Sequence, residues 1–486
     1  MALLCSSLHA QESFESIQSR ITSFTLKNGM TFIVLERHQA PVASFLTYAD
    51  VGSVQEVKGI TGIAHIFEHM AFKGSPTIGG KNHAEEKLAL DQVDRAFYAL
   101  RDERRKGAKA DPEKLKKLEA EFDAAQEGAA KFVVRGEYAD AIDRAGGRDM
   151  NAATGQDYTR YFFSLPANSA ELWFWLESER FLNPVLREFY KEKDVVMEER
   201  RMRTDNEPIG KLLEETAHIA FKAHPYGEPV VGHMSDLQEI TRADATAFFK
   251  KYYQASNLVS VIVGDVNPKK IREWAEEYFG RLPAAPKPEP IRTIEPPQDA
   301  ERRATLRLKS ERVLLMAFHA PDINHPDHAA YRALAGVLSE GRSSRLYSDL
   351  VRDQKIAVMA AGFSDFPGSK YPSLFSFAAF PAPGHTNAEI EKAFDAEIDR
   401  LKMQPVTQDE LDGVKRRARA GLINSLSDNM GLANALADYQ VLTGDWRNLF
   451  RQLDRLNSVT PADIQRIAKS TFRNDNKTVA AIEPIE

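Results

Sequence analysis

Residues 65–69 read His65-Ile66-Phe67-Glu68-His69. Helical residues four apart share a face, so the two imidazoles can close on one zinc ion. Glu68 follows His65 by three residues and lies on nearly the same face. It can therefore reach a water on the metal without being a ligand. This is the inverse of the usual zincin order. Ile66, Phe67, Met70 and Phe72 are apolar and mark a buried helix. Buried histidines and a glutamate without partners would be costly, and a metal ion accounts for them. Cys5 is the only cysteine, so no thiolate cluster is available and the donors must be His, Asp or Glu.

Several elements must hold this motif in place. The helix spans about residues 62–72, with Gly59 and Gly62 at its start. The strand before it covers about Val42 to Val51 and runs into Gly52-Ser53. Upstream, Phe24–Leu26 and Met30–Val34 flank Asn28-Gly29, a hairpin turn pair. Further strands cover Arg160–Leu165 and Leu258–Val266.

Residues 84–133 depart from this pattern. Leu90, Val93, Phe97 and Leu100 recur at helical spacing, as do Leu115, Leu118 and Phe122, and Asp111-Pro112-Glu113 starts the second run. The segment reads as an inserted antiparallel helical hairpin, a solvated structural arm. Glu85, Glu86 and its other glutamates read as exposed helix faces.

The chain has 486 residues, which calls for at least two domains. Pro286, Pro288, Pro290, Pro296 and Pro297 mark an exposed linker, after which the pattern restarts. Thr241-Arg-Ala-Asp244 opens a helix leading through Asn257 to a strand at Val261. Thr460-Pro-Ala-Asp463 opens another, leading through Asn476 to a strand at Val479. Equal spacing and shared threonine caps point to a duplication. The expected fold is α+β: two homologous sandwich-like domains, each a mixed or antiparallel sheet with helices on one face. The boundaries are 19–283 for the zinc-binding domain, 284–302 for the linker and 303–486 for a non-catalytic homologous domain.

Composition excludes some classes. A net charge of −6 with no basic stripe gives no nucleic-acid footprint. No apolar run reaches the roughly 18 residues that span a bilayer. The apolar stub Met1–Ala10 reads either as the tail of an export signal or as a frayed terminus. The first reading favours a bacterial periplasmic or exported location over the cytoplasm.

The chain resembles the pitrilysin/insulysin inverzincin metallopeptidases, most of all the bacterial relatives of the mitochondrial processing peptidase β-subunit. The resemblance rests on His65–His69 followed by Met70-Ala-Phe-Lys-Gly74, on Gly146-Gly147 and Asn151-Ala-Ala-Thr154, on Glu192 through Glu199, and on His224-Pro-Tyr-Gly227. It implies one Zn2+ per chain, held by His65, His69 and Glu199, with Glu68 as the catalytic base. Glu192, two helical turns before Glu199, would orient His69 or Glu199. Glu198 is the rival ligand, but on an ideal helix it points about 100° away. The gap from His69 to Glu199 is longer than the family's, and the hairpin supplies the excess.

The resemblance also implies an edge strand at Asn151 and Ala152 that takes a substrate peptide by main-chain pairing. The family's second half supplies an Arg and a Tyr that hold the substrate carbonyl. Here Arg352 fits the first, but Val358 or Met359 stands in place of the second. The implied assembly is a dimer with a related chain that lacks the zinc motif and supplies the pair; a homodimer is the alternative. The implied function is a zinc endopeptidase acting on peptides or unfolded polypeptides. The competing readings are a non-catalytic scaffold subunit and a metal-binding protein without hydrolysis.

Overall fold

The turn at Asn28-Gly29, with Gly29 at φ +94°, joins β1 (Ile21–Thr25) to β2 (Thr31–Glu36) as an antiparallel pair. This is the start of a computed structural model that describes residues 14–485; the Met1–Ala10 stub lies outside them. The chain continues through β3 (Val42–Ala49), β4 (Arg148–Thr154), β5 (Thr159–Pro166) and β6 (Leu258–Gly264). These strands form one mixed sheet in the order β1-β2-β6-β3-β5-β4. The second sheet contains β7 (Arg302–Leu308), β8 (Val313–Ala320), β9 (Ala357–Phe366), β10 (Ser373–Pro381) and β11 (Lys477–Pro484), in the order β7-β11-β8-β10-β9.

The two orders superimpose once β1 is set aside. In each sheet one parallel pair, β2 with β6 and β7 with β11, is followed by antiparallel neighbours. The fold is therefore α+β with two related halves. The strand β6 follows the helix Arg242–Tyr252, and β11 follows the helix Pro461–Thr471; both helices have a Thr-Asp capping box. The asparagine between helix and strand is buried in both halves and plays the same part. Asn257 donates to the carbonyls of Asp50 and Tyr252, and Asn476 to those of His319 and Thr471.

The central strands alternate between two cores, as period-two side chains must. Phe32, Val34 and Phe45 face one core, while Ile33, Leu35, Leu46 and Tyr48 face another. The first core holds α1 (Ile63–Met70), the hairpin helices α2 (His83–Arg104) and α3 (Pro112–Ala130), and α4 (Phe189–Arg200). The helix α5 (Pro208–Ala220) turns away to cover the second sheet, packing Leu212 against Val313, Leu315 and Ile482. In return α6 (Asn429–Thr443) crosses from the second half to cover the first sheet with Leu432 and Leu436. Each sheet thus has a helix of the opposite half on its other face.

Two expectations change. The inserted hairpin is more than a solvated arm, because Glu86 is fully buried. It grips Arg187 through bonds of 2.5 and 2.9 Å, and that guanidinium also binds the carbonyls of Lys73, Ser75 and Ile78. Glu103, buried too, pairs with Lys106 and Lys114. The proline-rich stretch 283–301 has no helix or strand, but it is pinned. Glu295 accepts the backbone N–H groups of Lys222, Ala223 and His224, and Gln298 donates to the carbonyl of Lys477. Proline removes donors without removing side-chain acceptors, so the stretch lies against both halves.

Candidate metal centre

The helix α1 is fixed at its start by carboxylates. Glu56 accepts the N–H groups of Gly62 and Ala64 at 2.7 Å each, and Asp236 accepts those of Gly59 and Thr61. Carboxyl oxygens suit the orphan N–H groups of a helix N-terminus as acceptors. Gly62 adopts φ +90°, and a Cβ there would meet the carbonyl oxygen of Val231 at 2.4 Å.

The helix α4 lies against α1 and brings two carboxylates to the histidines. His69 Nε2 is 3.2 Å from Glu199 Oε2, and His65 Nε2 is 3.6 Å from Glu199 Oε1. The two rings stand perpendicular, with centroids 5.0 Å apart. One ligand atom from each of His65, His69 and Glu199 lies within 4.8 Å of the other two, and this is the one such group among the described residues. Glu68 Oε2 is 3.9 Å from His65 Nε2. Glu192 Oε2 is 3.7 Å from His69 Nδ1, so of its two expected partners it meets His69. Glu198 points to Arg201 at 2.8 Å and is more than half exposed.

The electrostatics suit a cation. Burial pushes His65 down to about 4, against the pull of Glu199, which leaves its ring neutral at pH 7. Burial also opposes charge on His69, but the flanking carboxylates of Glu192 and Glu199 carry it up to about 9. The bond to His69 leads in holding Glu199 low. Burial raises Glu68, with the adjacent Thr154 and the His69 ring pulling the other way. Two imidazoles and a carboxylate converging on one point match a zinc donor set with a fourth position open, and the buried His65 ring takes no hydrogen bond at Nδ1.

Three contributors were given no role in the sequence reading. Arg203 NH1 is 2.6 Å from Glu199 Oε1, Lys73 Nζ is 2.6 Å from Glu192 Oε1, and Thr154 adjoins Glu68. Arg203 follows Glu199 by four residues, so helical spacing was the available signal there. Arg203 lies in a π-helical turn, Arg201–Asp205, which directly extends α4.

Asn151 and Ala152 lie on β4, the edge strand that ends at Thr154. Asn151 is exposed and Ala152 buried. The N–H of Ala152 donates to Asn151 Oδ1 at 2.8 Å. Arg352 is not brought to this cluster: its guanidinium pairs with the adjacent Asp353. Val358 and Met359 are exposed on β9, the matching edge of the second sheet. A cavity of about 1240 Å3 between the halves contains none of the five clustered residues.

Two family profiles match the chain. One, described as insulinase (peptidase family M16), covers residues 32–99; the other, described as the peptidase M16 inactive domain, covers residues 239–418. The first span includes His65, Glu68 and His69. The chain is 30% identical over 495 residues to the zinc protease PqqE of Helicobacter pylori, covering 100% of this chain and 96% of that one. It is 22% identical to the probable mitochondrial-processing peptidase subunit beta of Schizosaccharomyces pombe, over 95% and 91% of the two lengths. The crystal structure of a protease from Helicobacter pylori superposes with a TM-score of 0.79 at 29% identity, covering 96% of this chain and 99% of that one.

Proposed function

The chain belongs to the M16 zinc-protease family, and we propose that it is itself a zinc endopeptidase acting on peptides or unfolded polypeptides. The observation that carries this reading is the meeting of His65, His69 and Glu199 around one point with Glu68 beside them. These three residues would hold one Zn2+, which would supply Lewis-acid polarisation of a water and of the scissile carbonyl.

Glu68 then acts as general base. It accepts the proton of the attacking water and delivers it to the leaving amine. Its raised affinity for protons suits both halves of that transfer. Glu192 holds the His69 ring through Nδ1 and leaves Nε2 turned to the metal position.

The substrate would add to β4 as a further strand. An incoming carbonyl would replace Asn151 Oδ1 as the acceptor of the Ala152 N–H. Arg352 has no place in this chain's own site, and no tyrosine stands at 358 or 359. A dimeric partner, a related chain without the zinc motif, would supply the missing carbonyl-holding pair; size measurement with and without that chain tests this, with a homodimer as the other assembly.

Metal analysis of the wild type beside Glu199→Gln, paired with a peptide-cleavage assay, tests the central reading. The wild type should hold one zinc and cleave; the variant should lose both properties. A wild type that binds zinc and cleaves nothing would leave a metal-binding or scaffold protein.

A further inference from the structure

The motif His224-Pro-Tyr-Gly227 takes no part in the metal centre, yet its tyrosine is fully buried. Tyr226 sits where two turns meet. One is Gly155-Gln156-Asp157, which follows β4; the other is the loop 367–372 between β9 and β10. Since β4 and β9 are the matching edges of the two sheets, these are corresponding turns of the two halves.

Asp157 is buried, and three donors from outside its own turn meet its carboxylate. The Tyr226 hydroxyl donates to it at 2.7 Å, and the N–H groups of Ser369 and Lys370 at 2.9 and 3.1 Å. The Tyr226 oxygen in turn accepts the N–H of Tyr371 at 3.1 Å. The N–H of Tyr226 is itself held by His224 Nδ1 at 3.2 Å. Gly368 permits this approach, since a Cβ there would stand 2.6 Å from the Tyr226 hydroxyl and 2.7 Å from Asp157 Oδ2. A buried carboxylate needs such donors in place of water, and hydrogen bonds to a charged group are the stronger kind.

The strand β4 depends on this end. Its pairing with β5 shifts register between Arg148 and Asn151 and runs evenly only over Asn151–Thr154. It has a neighbour on one side alone. Thr154, its last residue, adjoins Glu68. The same turn meets the stretch that leads to α1, where the N–H groups of Ser53 and Val54 donate to the carbonyls of Gly155 and Gln156. Glu56 of that stretch caps α1.

We propose that Tyr226 and Asp157 are positioning residues, through which the β9–β10 loop of the second half sets the end of β4 and holds Thr154 against Glu68. The second half, which carries none of the five clustered residues, thereby acts on the centre without touching it. The consequence for turnover rests on the peptidase reading above; the placement of β4 does not.

Hydrogen exchange on the full chain stripped of metal tests the placement. Tyr226→Phe keeps the ring and removes the hydroxyl. It should speed exchange in residues 148–158 by at least about tenfold, the scale of a hydrogen bond to a charged group, and leave β1 and β2 unaltered. Gly368→Ala, which drives the loop off the joint without removing a polar group, should do the same. Kinetics tests the consequence. In Tyr226→Phe, kcat should fall by at least about tenfold on the same scale, while zinc affinity holds. In a Thr154→Val background Tyr226→Phe should cost nothing further, because the two residues act in series. Unchanged exchange at 148–158 in both variants overturns the proposal. Faster exchange throughout the chain, or additive losses in the double variant, marks a merely structural tyrosine and overturns it too. A wild type that cleaves nothing refutes the peptidase reading, and exchange then judges the joint alone. If Tyr226→Phe fails to fold, Gly368→Ala decides.

Discussion

The Nδ1 of His69 lies 3.7 Å from Oε2 of Glu192, on the side of the ring away from Glu199. One carboxylate stands behind the imidazole while another shares its front. Glu192 is itself held by Lys73 at 2.6 Å, so the ring is braced by a chain of three residues. Glu192→Gln should keep the fold and weaken zinc affinity by about 10–100-fold, the usual effect of removing a partner behind a ligand. Competition against a chromogenic chelator measures this; an unchanged affinity would remove Glu192 from the site.

Glu68 is beside the ligand cluster but outside it. Glu68→Gln should retain the metal and lose about 10²–10⁴ in turnover, the range for general acid–base catalysis. Zinc content and peptide cleavage measured on one preparation check both parts. A variant cleaving at the wild-type rate would assign the base elsewhere.

The two histidines differ in what zinc must displace. His65 is neutral above about pH 5, since burial holds it at about 4. His69 at about 9 carries a proton at neutral pH. Only the deprotonated ring can bind metal, so loading at pH 7.5 should release about one proton per site. Affinity should rise with pH until about 9 and then level off. Calorimetry in two buffers of different ionisation enthalpy counts the protons, and a count of zero contradicts this assignment of charge.

The buried pair Glu86–Arg187 ties the hairpin to the loop after α1. Glu86→Ala strands a guanidinium that is 1% exposed. Breaking a buried pair in this way costs about 3–5 kcal/mol. Urea unfolding should show a loss of that order; a loss below about 1 kcal/mol, the level of surface pairs, would mean that water reaches Arg187 readily.

The two ends of the centre were legible because each is local, while the meeting of Glu199 with His69, 130 residues away, was implied only by the family resemblance. The i,i+4 spacing of His65 and His69 and the seven-residue spacing of Glu192 and Glu199 set faces that any helix must present. The hairpin was legible for the same reason, through Leu90, Val93 and Phe97. What escaped was long-range. Glu86 reads as one more charge on a charged helix, since its partner lies 101 residues away. The pattern of α5 shows an apolar face but not which sheet receives it. Leu212 could have packed on its own half's strands, and only the assembled chain brings it to Val313 and Ile482. The matching capping boxes at Thr241 and Thr460 did disclose the repeat, because each box is written within four residues.

The exchange of α5 and α6 makes the peptide bond between the halves nearly redundant. Each half keeps its fellow's sheet out of water, so two fragments cut within 283–301 have reason to stay clasped, and either one alone would present a bare greasy sheet. The protein behaves less like beads on a string than like a pair of folded hands.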